Sequence, residues 1–358
     1  MLKSGATIGI LGGGQLGRML ALAAANLGYR THIYSPEENS CAFDVAHVIT
    51  KAPYEDEKAL AEFAQVVDVI TYEFENVPAA TATFLAARKQ VLPDPRVLEA
   101  TQDRLIEKDF VKGLKIPTAP YAPVHSATQL AEGIEKVGLP AVLKTRTLGY
   151  DGKGQAKIAK AADAIDAWRS VKNAPCILEG FVKFQREVSV VAARDKAGKV
   201  VCFDITENQH RDHILKVSRV PARVPPSTER EARRIATKIA DALDYVGVLA
   251  VEMFAVKRGR ATELLVNEIA PRVHNSGHWT IDGATVSQFE QHIRAIAGLP
   301  LGKPLRLGRV EMINLIGAEI EEATRWMKVP GASVHVYGKK EARPGRKMGH
   351  VTRVRPQR

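Results

Sequence analysis

Short apolar runs, broken by polar and glycine-rich turns, alternate with helical periodicities along most of the chain. The clearest pattern lies between Val248 and Trp279. There VLAVEMFAV is followed by the basic turn KRGRAT and then by ELLVNEIAPRVHNSGHW. Each apolar half is short and β-branched, and the break holds Gly259, which predicts a β-hairpin. Side chains alternate faces along a strand, so Glu252 is expected beside Val248, Ala250, Phe254 and Val256, and Glu268 beside Leu264 and Val266. A hairpin symmetric about Arg260 and free of bulges sets Glu252 directly opposite Glu268. Like charges opposed across a ladder repel, and a carboxylate on an apolar face loses its water at high cost. Either these are surface glutamates on a half-wet sheet, or a divalent cation lies between them. Hard cations such as Mg2+ take carboxylate oxygens together with substrate phosphates. The apolar neighbours favour the metal, and Asn267 offers it an amide oxygen.

At the other end of the chain, TIGILGGGQLGRMLALAAANLGYRTHIYS reads strand, glycine turn, helix, strand. Gly12, Gly14 and Gly17 fit the dinucleotide fingerprint, in which glycines let a phosphate approach the backbone at a helix N-terminus. A dinucleotide site also wants an acid at the end of the second strand. Here that strand ends at Ser35-Pro36, with Glu37 and Glu38 just beyond. The expectation is a Rossmann-like scaffold holding a phosphate or ribose group; helix–strand packing is the alternative use of the turn. VVDVITYEFENVP ends in Glu73, Glu75 and Asn76, at the carboxyl end of a strand where open α/β sheets bind ligands. Glu73 or Glu75 is placed to accept from sugar hydroxyls, or else to cap a helix. VLPDP closes this region, because Pro93 and Pro95 cannot sit in a central strand. Thr101 or Asp103 then starts a helix carrying Arg104, Lys108 and Lys112, which KGLKIPTAPY stops.

The middle of the chain carries a lysine on a strand, Lys144 in AVLKT, which is unusual unless its ammonium reaches an anion. The following Gly149, Tyr150, Asp151, Gly152, Lys153, Gly154 and Gln155 form a glycine-dense segment between strands. It reads as a flap whose N–H groups fold over phosphates, or as an ordinary hairpin loop. It is not a Walker loop, because GxxxxGK[ST] is absent. CILEGFVKFQREVSVVAA follows. Glu179 ends a strand, Phe181 and Val182 are candidate walls for an adenine, and Glu187 is a candidate ribose holder. His210 and His213 lack a third ligand at zinc spacing. STEREARRIATKIADALDYVG is an amphipathic helix, expected to be capped by Ser227 or Thr228.

Composition narrows this picture. The 358 residues suffice for two or three domains, and 45% apolar with 25% charged residues is a globular balance. Apolar runs are too short for a bilayer. The start, MLKSGATIGILGGG, passes straight into a strand without a signal-segment pattern. Cys41, Cys176 and Cys202 are odd in number and unpaired in spacing, which points to a reducing cytoplasm. The net charge of +11 suits anionic ligands such as nucleotides, sugar phosphates or nucleic acid. Much of the excess sits in the tail, at Lys339, Lys340, Arg343, Arg346, Lys347, Arg353, Arg355 and Arg358.

Lys144, the flap GYDGKGQ, the linker EGFV, Glu187, VEMF and NEIAPRVHNSGHW together resemble the ATP-grasp ligases. GGGQLGRM, TYEFENVP, NSGHWT and YGKKEARPGRKMGHV are similar, more narrowly, to the branch that carboxylates 5-aminoimidazole ribonucleotide in purine biosynthesis. The resemblance runs essentially end to end. It implies an α/β chain in three parts: a Rossmann-like domain (1–98), an ATP-grasp domain (99–298) with a hinged lid over about 117–180, and a small β-rich C-terminal domain (299–358). It implies that Arg104 and Lys144 contact ATP phosphates, that residues 149–155 cover them, and that Glu179, Gly180, Phe181 and Val182 line the adenine. Glu187 would hold the ribose, with His210 near the nucleotide, and Glu252 and Glu268 would bind magnesium, or manganese, beside Asn267. Gln15 and Glu73 match the substrate pocket, and Tyr150 and Asp151 the lid residues near the imidazole. Arg272, Lys340, Arg346 and Lys347 suit the substrate phosphate. The implied reaction phosphorylates bicarbonate with ATP and passes the carboxyl group to the substrate amine, giving 5-(carboxyamino)imidazole ribonucleotide, ADP and phosphate. Arg272 is expected to hold an anion, and Asp151 and His274 are candidate bases. The resemblance also implies a homodimer.

Three other readings share parts of this evidence. A formate-dependent ribonucleotide transformylase would use the same nucleotide residues. A dinucleotide-dependent oxidoreductase rests on Gly12 to Gly17 and leaves the glutamate pair unexplained. A nucleic-acid-binding protein rests on charge alone, and the tail has few aromatic residues to interleave with bases.

Overall fold

The computed structural model describes residues 1–149 and 152–355. Tyr150 and Asp151, singled out from the sequence, lie outside the described residues. Three sheets organise the chain. The first is parallel, built from β1 (Thr7–Leu11), β2 (Arg30–Ser35), β3 (Val48–Lys51) and β4 (Val69–Tyr72) in the order β3-β2-β1-β4. Helices α1 (Gln15–Asn26), α2 (Glu57–Gln65) and α3 (Ala79–Ala86) connect and follow these strands, as the Rossmann-like reading expects. After VLPDP come α4 (Arg96–Thr101) and α5 (Arg104–Gly113). Asp103 caps α5 by accepting from the N–H groups of Leu105 and Ile106.

The second sheet is antiparallel: β5 (Tyr121–Val124), β6 (Ala141–Thr145), β7 (Gln155–Ile158) and β8 (Cys176–Gly180), ordered β5-β8-β6-β7. It has a core of its own, where Leu130 of α6 (Ala127–Val137) and Ala164 and Ala167 of α7 (Ala164–Ser170) pack with Leu143 and Leu178.

The third sheet is antiparallel throughout and has nine strands. Its first strands are β9 (Arg186–Arg194), β10 (Val200–Cys202), β11 (Thr206–Arg211) and β12 (Ile214–Val220). The long hairpin β13 (Gly247–Arg258) and β14 (Ala261–Ala270) forms one end, with β14 at the edge. Helix α8 (Pro226–Ala242) lays Ile235 and Ile239 on one face, against Leu249, Val251, Met253 and Val266. It is capped two or three residues earlier than the sequence suggested. Pro225 is the cap and Pro226 the first helical residue, so Ser227 and Thr228 lie inside the helix; proline at the first position spares a donor that has no helical partner.

On the other face, after the short α9 (Thr280–Gly283), α10 (Gln288–Ala297) packs Phe289 and Ile293 against Val248 and Ala250 and against α1. This contact joins the first sheet to the third. The C-terminal strands β15 (Arg309–Ile316), β16 (Ala332–Val336) and β17 (Lys347–Arg355), with α11 (Ala323–Trp326) between them, are β-rich as expected. They continue the third sheet, because β15 pairs with β12. No helix among the described residues is long and apolar enough to cross a membrane.

Candidate active site

A cleft of about 1200 Å³ opens where the three sheets meet. Its floor is the third sheet, and there the hairpin brings its two acids together. Glu252 is the register partner of Glu268, as the sequence suggested, but through a different backbone. The turn is only two residues, with Arg258 paired to Ala261, and a bulge lies between the Met253–Val266 and Glu252–Glu268 pairs. The expectation of a bulge-free hairpin symmetric about Arg260 is therefore corrected. Asn267 is the extra residue. Val266 turns to the α8 core with Met253 and Leu264, so Glu268 does not share their face. In a regular strand Asn267 and Glu268 would point to opposite faces; the bulge re-aims them, and both line the cleft with Glu252.

These three residues fit a hard cation. Glu252 is pushed up to about 8 by burial first and by the charge of Glu268 second. The Oδ1 of Asn267 is buried with no hydrogen-bond partner among the described residues. A buried amide oxygen without a donor, flanked by two carboxylates, offers the oxygen ligands that a hard cation takes.

The second sheet supplies the opposite wall. Lys144 on β6 reaches Glu179 on β8 at 3.1 Å, so in this structure the anion met by the strand lysine is a protein carboxylate. Burial pushes Glu179 up, but Lys108 and Lys144 outweigh it and hold it at about 2. Lys108 was not read as a site residue, yet its ammonium is 3.6 Å from Glu179. Arg104 binds Glu268 at 3.3 Å and donates to the carbonyl of Gly149 at 2.9 Å, joining the acid of the floor to the start of the flap. Farther along, Gly152 has φ +79° and lies against His213, where a Cβ would come within 2.6 Å of the histidine Cβ. Gln155 also meets His213, at 3.3 Å. Lys153 lines the same cleft, and Gly154 accepts from Thr145 N–H at 2.7 Å.

Where β8 ends, Gly180, Phe181 and Val182 line the cleft. Phe181 is exposed, with the Lys157 ammonium 4.6 Å from its ring. Glu187 on β9 accepts from His210 on β11 at 2.6 Å. Burial lowers His210, but this bond and the nearby acids more than offset it, and its pKa rises. Phe184 stacks on Phe254 at 4.9 Å beside them.

The first sheet closes the cleft with its glycine turn, and a side chain of the protein itself occupies that turn. Glu73 sends one oxygen to the N–H of Gly14 and the other to the N–H of Gly17, the latter at 2.7 Å. Gly12 has φ +106°, and a Cβ there would lie 2.4 Å from the Glu73 Cγ. The donors expected to meet a phosphate or ribose thus hold a side chain from β4. Burial pushes the Glu73 pKa up, while those two donors and Arg272 pull it down. Gln15 lines the cleft beside it.

Arg272 makes a two-point ion pair with Glu75, one arm at 2.8 Å. Burial raises Glu75, but Arg272 outweighs that and holds it at about 2. His274 Nε2 lies 3.5 Å from Glu252, and its Nδ1 lies 2.8 Å from the Ser276 hydroxyl. Burial, then Arg272 and Lys347, lower His274 to about 3. Of the tail cations, Lys347 lines the cleft. Lys340 instead reaches Asn39 at 2.6 Å, and Arg346 donates to the Glu341 carbonyl at 3.1 Å.

Fold and cleft together have the layout of an ATP-grasp protein, and the family model for the ATP-grasp domain matches residues 109–289. The ribonucleotide synthetase preATP-grasp model matches residues 5–102, and the phosphoribosylaminoimidazole carboxylase C-terminal model matches residues 311–358. N5-carboxyaminoimidazole ribonucleotide synthase of Brucella melitensis is 53% identical over 357 residues, covering 99% of this chain and 98% of that one. The Staphylococcus aureus N5-carboxyaminoimidazole synthetase complexed with ADP has a TM-score of 0.94 at 37% identity, over 99% of this chain and 95% of that one. An Aspergillus clavatus synthase in complex with ADP and 5-aminoimidazole ribonucleotide has a TM-score of 0.92 at 30% identity, over 99% and 95%. The chain belongs to the N5-carboxyaminoimidazole ribonucleotide synthase family.

Proposed function

We propose that the chain carboxylates 5-aminoimidazole ribonucleotide with bicarbonate at the expense of ATP, a step of purine biosynthesis. The pairing of Glu252 with Glu268 across the bulge, in one cleft with Lys144, Glu187 and the Glu75–Arg272 pair, carries the reading. ATP lies between lid and floor, with its adenine at Glu179 to Val182 and its ribose at Glu187 and His210. Its phosphates run toward Arg104 and Lys144 under the flap. Glu252 and Glu268, with the orphan oxygen of Asn267, would hold magnesium or manganese, which when bound offsets phosphate charge and polarises the transferred group.

A bicarbonate oxygen attacks the γ-phosphorus, ADP leaves, and the resulting carboxyphosphate is a mixed anhydride. The substrate amine attacks its carboxyl carbon, releasing phosphate and a proton and forming the carbamate. The chain's own work is to position and to stabilise charge. Arg104 and Lys144 meet the negative charge that grows on the transferred group. The flap excludes water, which otherwise hydrolyses the anhydride. Arg272, fixed by Glu75 next to the metal acids, faces the bicarbonate end. His274 is read as a neutral partner of Glu252 rather than as the base, because both its nitrogens are engaged and its pKa is low. Gln15 and Lys347 face the sugar phosphate, with Lys340 and Arg346 on the loop beside it.

A cytoplasmic homodimer completes the reading, the dimer from family resemblance and the compartment from three unpaired cysteines. The test is phosphate release with magnesium-ATP, bicarbonate and aminoimidazole ribonucleotide, omitting each in turn. Release that requires all of them is expected. Release that needs formate in place of bicarbonate would overturn the assignment.

A further inference from the structure

The bulge that gathers the acids sits on β14, the edge strand of the nine-stranded sheet. An edge strand leaves backbone donors and acceptors unpaired, and a bulge adds to them. Helix α5 answers these groups with two adjacent side chains. Lys108 donates to the carbonyl of Asn267 at 2.7 Å and to that of Val266 at 3.2 Å. Glu107 accepts from the N–H of Ile269 at 3.1 Å. One backbone group more, the N–H of Val266, goes to the Pro117 carbonyl at 2.8 Å. The extra residue and Glu268 are thus bracketed on both sides by one dipeptide.

Both side chains are buried, at 4% exposure for Glu107 and 2% for Lys108. A buried ammonium is costly unless its bonds are made. Lys108 makes them to the bulge, and it also stands 3.6 Å from Glu179 on the lid strand β8. The same ammonium therefore touches the backbone of the acid-bearing strand and the carboxylate that meets Lys144. Neither Glu107 nor Lys108 was a site candidate from the sequence.

We propose that Glu107 and Lys108 are positioning residues for the metal acids: they hold the bulged backbone of residues 266–269 so that Asn267 and Glu268 both face Glu252, and Lys108 keys that geometry to the lid through Glu179. This rests on the reading of Glu252 and Glu268 as metal ligands. The pair acts through the shape of the strand, with Glu107 at the border of the cleft and Lys108 behind it.

The experiment is Mn2+ binding to the full-length protein, followed by electron paramagnetic resonance with ADP present and no turnover. It compares the wild type with Lys108→Met, Lys108→Arg and Glu268→Gln. Metal-free ADP binding is measured alongside. Lys108→Met is expected to weaken Mn2+ about tenfold, the scale at which groups supporting a ligand act, and metal-free ADP, which senses only the Glu179 contact, by less. Lys108→Arg, which keeps the charge and the donors, is expected to regain most of the loss. If Lys108→Met binds Mn2+ within twofold of the wild type while Glu268→Gln loses it, the positioning role is overturned and the metal site stands. If Glu268→Gln also binds Mn2+ normally, the metal reading fails, and this inference with it. Should Lys108→Met not fold, Lys108→Gln takes its place with the same two outcomes.

Discussion

Glu73 shows how much one side chain decides in this molecule. Its carboxylate fills the donors of the glycine turn, and the turn has room for it only because Gly12 and Gly14 carry no Cβ. Exchanging Glu73 for Gln keeps the size but puts an NH2 group where an oxygen met an N–H. Leaving a buried donor without its acceptor costs about 1–3 kcal/mol. Glu73→Gln is expected to lose about that much stability in urea unfolding, and an unchanged midpoint would show that the pair is dispensable. The sequence marked both partners, the fingerprint glycines and the acid at the end of β4. It did not mark them as partners, because a strand end and a turn 56 residues away share no local pattern. Glu75 and Arg272 were missed as a pair for the same reason, although each was noticed on its own.

The hairpin β13–β14 was legible as an element, and so was the opposition of its acids. The bulge was not. Register follows from turn length, and KRGRAT does not reveal which two residues turn. A two-residue turn alone would have set Asn267 against Glu252; the bulge restores Glu268 to that place and keeps Asn267 on the same face. Deleting Asn267 is therefore expected to leave a regular ladder with Glu268 still opposite Glu252. That variant should fold, and its magnesium requirement should rise about tenfold, read as the concentration giving half-maximal phosphate release. A variant that does not fold would mean that the extra residue is needed for the strand itself. A local signal existed for α5, where Glu107 lies four residues before the buried Val111, on the stripe that should be apolar. A charged residue on that stripe is the mark of a partner across the interface.

At the scale of the whole molecule, the sheets are pinned by a buried histidine on α10. The His292 Nδ1 accepts from the N–H of Val248 on β13 at 3.1 Å, and Nε2 meets the Thr71 hydroxyl on β4 at 2.8 Å. Burial lowers its pKa to about 4. The folded protein therefore binds fewer protons here than the unfolded chain between pH 6.5 and 4. Its contribution is complete above 6.5 and is lost as pH falls through that window. A lowering from 6.5 to about 4 corresponds to roughly 3 kcal/mol. Glu75 and Glu179, held at about 2, lose their share only below the ordinary carboxylate range. Urea unfolding at a series of pH values should show the wild type losing more stability than His292→Gln as pH falls from 6.5 to 4, because the other titrating groups act alike in both. An equal loss in both would place the acid sensitivity elsewhere. Helix α10 was not singled out in the sequence, since a histidine that bridges two sheets looks like any other helical histidine until the sheets are in place.

The occupied glycine turn has a consequence for what the chain can no longer become. A pyrophosphate brought to those N–H groups would meet a carboxyl group already seated and tethered by the neighbouring strand. The turn has the outline of a dinucleotide-binding loop, but its donors are taken up from within. The glycines now serve as a hub, locking the first strand, the first helix and the acidic strand end into one piece, from which Glu75 extends to hold Arg272 in place.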